Sequence, residues 1–182
     1  MSTEKWNAKI QFPSDSNFIN RIVGANFGPS ASSNNPMLTL TFEVVSPTDA
    51  EVGTKTYNIA GVQAKRYYVT EVKDNAEKTE NCRARVRELW TLLGLDPESI
   101  NWDNIDCTPL LGLLVFCQMS PDAEPQRKNP TAAQIEAAKK ENKRPEGDIM
   151  KHPITGQPLV NYWPQIREIF GLAPSDGVKM AY

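Results

Sequence analysis

A chain of 182 residues and 20.3 kDa is long enough for one hydrophobic core, and we expect a single domain over residues 1–182. With 40% hydrophobic and 23% charged residues, wholesale disorder and a coiled coil are excluded, and the longest apolar run, residues 110–117, falls far short of the ~20 needed to span a bilayer. A formal net charge of -2 excludes a uniformly basic nucleic-acid binder, so any phosphate contact has to come from a local patch.

The N-terminal residues MSTEKW carry no signal-peptide apolar region, which predicts a protein that stays where it is made and makes no membrane contact. Cys82, Cys107 and Cys117 show neither a disulfide framework nor a CxxC spacing, so no metal site is expected.

In chain order, residues 19–27 are rich in β-branched and aromatic side chains and read as a strand that ends at Gly28-Pro29. Residues 28–36, all turn formers, predict a flexible solvent-facing connection. Residues 37–45 alternate, with Leu38, Leu40, Phe42 and Val44 on one face, the period of a half-buried strand. Residues 54–60 resume an extended pattern and are expected to pair with that strand as a hairpin.

Cys82, Val86, Leu89, Trp90 and Leu93 then fall on one helical stripe that stops at Gly94, and Asp96-Pro97-Glu98 starts a further turn of helix. Residues 109–119 are apolar on both parities, as for a strand covered on both sides. Residues 120–158, with several prolines, basic pairs and a helical stretch over 131–142, read as an inserted loop. Residues 159–163 give a last short strand, and residues 166–172 a turn of helix that packs Ile169 and Phe170 back.

Three strands, a helix, a strand, a long loop and a strand match a mainly β, five-stranded, partly open barrel of OB-fold type, with its helix between strands three and four and the loop insertion between strands four and five. A small sandwich or another β-barrel accommodates the same strands. The runs NPMLTLTFEVV from Asn35, GTKTYN from Gly53 and LWTLLGL from Leu89 resemble a group of small bacteriophage proteins akin to single-stranded DNA-binding proteins of OB type, over roughly residues 17–119. That resemblance implies non-sequence-specific binding of single-stranded DNA in phage replication or recombination, in the cytoplasm of a bacterial host and alongside phage or host replication proteins. Residues 173–182 depart from the pattern, since they lack the acidic tail by which many such proteins recruit partners.

A single-strand binder needs cations along the backbone and aromatic faces for the bases. Lys55, Tyr57, Lys65, Arg66, Tyr67, Tyr68 and Lys73 interleave both kinds, unless Tyr57 and one of Tyr67 or Tyr68 pack in the core; Tyr162 and Trp163 offer a second platform or else close the barrel, and Lys139, Lys140, Lys143 and Arg144 suit either a phosphate-gripping arm or a solvated loop. Other readings are bland: Trp90 is core, Trp102 lies between the acidic residues Glu98 and Asp103, and Arg83 and Arg87 lace the helix surface with Glu80 and Glu88. His152, the only histidine, has no nucleophile motif near it, and no glycine-rich phosphate cradle is present. These point to no enzyme activity and no cofactor. The alternative is a structural or partner-binding β-barrel phage protein that uses the same exposed aromatics for protein contacts.

Overall fold

The alternation of residues 37–45 builds the centre of the molecule, because a period of two sends every second side chain to one face of a sheet. The computed structural model describes residues 3–174. The chain ends, including the run after Pro174 that departs from the phage pattern, lie outside them. In chain order the elements are β1 (Glu4–Lys5), β2 (Ser16–Pro29), β3 (Pro36–Ser46), β4 (Asp49–Val52), β5 (Lys55–Asn58), β6 (Gln63–Val69), α1 (Ala76–Leu92), β7 (Leu114–Pro125), α2 (Ala132–Lys140) and β8 (Val160–Leu172). Short 3-10 turns at Pro97–Ser99 and Thr108–Leu110 join α1 to β7. The fold is mainly β, with two sheets.

The larger sheet has the order β6-β3-β2-β7-β8, and every neighbouring pair is antiparallel. Its outer strands, β6 and β8, therefore run in the same direction. They share no ladder, and Arg66 Nη1 reaches across to donate to the Arg167 carbonyl at 3.4 Å. One face of this sheet holds the core: Leu38, Leu40, Phe42 and Val44 of β3 pack with Ile22, Tyr68, Val115, Cys117, Met119, Ile166 and Ile169 and with α1.

Helix α1 starts where the Asn75 side chain accepts the Lys78 amide at 2.9 Å, and it stops where Gly94 takes φ 70°. There Leu95 N donates to Trp90 O and Gly94 N to Thr91 O, satisfying the last carbonyls. Val86, Leu89, Trp90 and Leu93 are buried as the stripe predicts, while Cys82 is only half-buried. No helix among the described residues is long and apolar enough to cross a membrane.

Four expectations are corrected. Residues 54–60 do not pair with β3: Lys55–Asn58 pairs with β4 and with β1 in a separate three-stranded sheet, since Gly53 at φ 64° closes a two-residue turn that brings Val52 opposite Lys55. The partner of β3 is β6. The connection at residues 28–36 is shorter than expected, because Pro29 pairs with Pro36 and the six residues between them fold on themselves through Ser30 N to Asn35 O and Asn34 N to Ser30 O.

Residues 166–172 form no helix and belong to the 13-residue strand β8. Register shifts leave Arg167 and Phe170 unpaired, so Ile166 and Ile169 reach the same face three positions apart; a bulged strand mimics helical spacing. The inserted loop is also smaller than residues 120–158. β7 continues to Pro125 and pairs with the start of β8, so the apolar run of 109–119 contributes only its end to a strand that runs on as a two-stranded ribbon.

Candidate nucleic-acid interface

The face of the larger sheet that turns away from the core carries the side chains of the opposite parity. On β6 these are Lys65 and Tyr67, with Tyr67 58% exposed. The register places Thr39 opposite Tyr67 and Thr41 opposite Lys65 on β3, and then Asn26 opposite Thr39 and Gly24 opposite Thr41 on β2. A third row joins Gln63, Glu43 and Arg21; Gln63 Nε2 donates to Glu43 Oε2 at 3.2 Å. The absent side chain of Gly24 leaves Thr41 uncrowded, since a Cβ there would come within 3.2 Å of it. The rows make a shallow polar platform with one open aromatic ring and two cations, Lys65 and Arg21, against one carboxylate, Glu43.

Sequence reading missed Arg21, Asn26, Thr39 and Thr41 as members of this platform. The signal for the two threonines was present in the alternation of β3, but the β2 residues become neighbours only through a register that Val23 shifts by one residue.

Two of the candidate rings are not available for stacking. Tyr57, 8% exposed, is buried in the smaller sheet, and Tyr68, 9% exposed, points into the core. Burial pushes the Tyr68 hydroxyl up to about 12, an effect that the neighbouring Arg66 partly offsets. Arg66 itself lies over the Tyr68 ring, 5.3 Å from its centroid, and bonds to the backbone of β8, so it belongs to the seam between β6 and β8. Lys55 is exposed on the smaller sheet, and Lys73 is exposed in the turn that leads to α1. Of the seven interleaved residues, the structure brings Lys65 and Tyr67 together on one open face.

The distal head of the β7-β8 ribbon, residues 126–159, carries seven Lys or Arg against four Asp or Glu, on a chain whose net charge is -2. It is organised by backbone bonds, among them Lys128 N to Asp148 O, Met150 N to Gln126 O and Leu159 N to Met150 O. Thr131 and Gln134 form a capping box at the start of α2. Lys139 and Lys140 sit in the last turn of α2, where they also favour the helix dipole. Lys143 pairs with Glu141 at 2.8 Å and Arg127 with Glu146 at 3.3 Å, whereas Lys139, Lys140 and Arg144 enter no ion pair among the described residues.

Trp163 is 47% exposed on the ribbon opposite Asp122, and Tyr162 points the other way and is half-buried, its amide bonded to Ala8 O at 2.7 Å. The aromatic pair is thus split between two faces.

Trp102 has a structural partner: Arg83 and Arg87 lie over its ring at 5.0 and 5.8 Å. Arg87 also pairs with Glu80, and Arg83 with Glu71 at 3.8 Å. His152 Nδ1 accepts from the amides of Ile154 and Thr155, both at 3.2 Å, which closes a turn. Burial pushes the Cys117 thiol up to about 12, which suppresses its thiolate. Among the described residues no three His, Cys, Asp or Glu side chains gather as a metal site. No protein-family model, no curated protein and no solved structure matches this chain.

Proposed function

We propose that the chain binds single-stranded DNA without sequence preference, laying the strand over the outward face of β3 and β6 during phage DNA replication or recombination. The observation that carries this reading is Tyr67, an open ring flanked by Lys65 and a row of hydroxyl and amide side chains on a rigid sheet. A ring of this kind stacks on an unpaired base for ~1–3 kcal/mol, and the cations follow the phosphates. We read the larger sheet as an OB-type barrel opened along the β6-β8 seam. Counting only its five strands, the order is third, second, first, fourth, fifth, and α1 lies in the chain between the third and the fourth. In that arrangement the second and third strands form the usual oligonucleotide face, and the ribbon head is the loop that arches beside it.

The reading calls for no cofactor and places the protein in the cytoplasm of a bacterial host, alongside replication proteins. Retention on single-stranded DNA resin at low salt, with release as salt rises, tests it, because binding through phosphates is salt-dependent. A protein that passes through the resin at low salt overturns this reading and leaves the alternative, a partner-binding protein that uses the Tyr67 face for protein contacts.

A further inference from the structure

A cavity of about 310 Å³ opens at the seam between β6 and β8 beneath α1. Three guanidinium groups from three different elements line it: Arg66 of β6, Arg85 of α1 and Arg167 of β8. None of the three enters an ion pair among the described residues. Arg66 spends one donor on the Arg167 carbonyl, Arg167 spends its Nε on the Ser120 hydroxyl, and Arg85 makes no side-chain hydrogen bond among those described. A guanidinium carries five donors in a fixed fork suited to phosphate oxygens, so most of the donating capacity of this group is unspent.

We propose that this cavity binds a nucleotide, with its phosphate held by Arg66, Arg85 and Arg167. The rest of the lining argues for a nucleotide over a bare anion. Glu88 and Glu168 also line the cavity and are themselves outside ion-pair distance of any cation among the described residues, so they are free to accept from the amino groups of a base or the hydroxyls of a sugar. Leu92, 37% exposed, supplies the apolar surface that a base needs, with Leu89 and Ile169 behind it. The volume falls within the ~300–1,000 Å³ of small-molecule sites. Phosphate acceptors, sugar or base donors and a flat apolar ring occur together in a nucleotide, free or at the phosphorylated end of a strand.

The site is separate from the outward platform, so the two readings fail independently. Calorimetric titration of the full chain with dAMP, deoxyadenosine and inorganic phosphate tests it. dAMP is expected to bind at least tenfold more tightly than either fragment alone. Arg85→Ala is expected to weaken dAMP at least tenfold with no change in melting temperature, since that side chain is exposed and holds nothing else in place, while Arg85→Lys loses the fork and falls between. Tyr67→Ala is expected to leave dAMP affinity unchanged.

Competition by one oligonucleotide with phosphorylated or hydroxyl ends distinguishes the sources. A strand end is the ligand if only the phosphorylated form displaces dAMP, and a free nucleotide is the ligand if neither does. Absence of dAMP binding, or binding that Arg85→Ala leaves unchanged, overturns the proposal.

Discussion

Tyr67 and Tyr68 are neighbours in sequence with opposite environments, because consecutive residues of a strand point to opposite faces. Truncating Tyr67 to Ala removes an open ring that supports no packing. We predict that it weakens single-stranded DNA binding by ~1–3 kcal/mol with an unchanged melting temperature, measured by anisotropy and calorimetry. Tyr68 predicts a pH effect instead. Its hydroxyl moves from an ordinary 10.0 to about 12, and the Cys117 thiol from 9.0 to about 12, both through burial. The folded state then keeps protons that the unfolded chain has already released, so the stability these groups contribute is complete below pH 9.0 and falls as pH rises toward 12. Urea midpoints are expected to drop across that window, and Tyr68→Phe is expected to flatten the drop. An equal slope in the variant would show that the hydroxyl titrates freely.

At the scale of elements, α1 stands on the burial of Trp90, 3% exposed, against the sheet. Trp90→Ala is expected to cost ~3–5 kcal/mol in chemical denaturation; a midpoint that does not move would mean that the helix packs by another face. The ribbon head, by contrast, contributes no residue to the main core cluster. Replacing residues 126–159 with a short Gly-Ser turn is expected to preserve the melting transition while flattening the dependence of log affinity on log salt by ~0.7 for each phosphate that the head neutralises.

What could be seen in the sequence follows from how local each signal is. The burial of Leu38, Leu40, Phe42 and Val44 and the stripe Val86, Leu89, Trp90 and Leu93 are periodicities within one element, and both are observed. Ile166 and Ile169 misled because bulges at Arg167 and Phe170 give a strand helical spacing. Phe12 gave no signal at all. It is fully buried between Trp6 and Phe18, at ring distances of 5.6 and 5.5 Å, in a segment without regular structure or period. The candidate site was half legible: the interleaving of cations and rings pointed to residues 55–73, but only cross-strand register decides that Tyr67 is open while Tyr57 and Tyr68 are closed.

On the scale of the whole molecule, a net charge of -2 hides an uneven distribution, since the ribbon head holds an excess of three cations and the rest of the chain is acidic. An acidic body disfavours indiscriminate attachment to duplex DNA, while an open ring on the sheet rewards unpaired bases. Under the proposed function, discrimination between strand forms, rather than affinity alone, is the property that the Tyr67 platform has to deliver. The most direct measurement is a fluorescence-anisotropy titration of the protein with one oligonucleotide, single-stranded and annealed to its complement, at a fixed low salt concentration. Tighter binding to the single strand is predicted, with loss of that preference in Tyr67→Ala; equal affinity for both forms in the unsubstituted protein would contradict it.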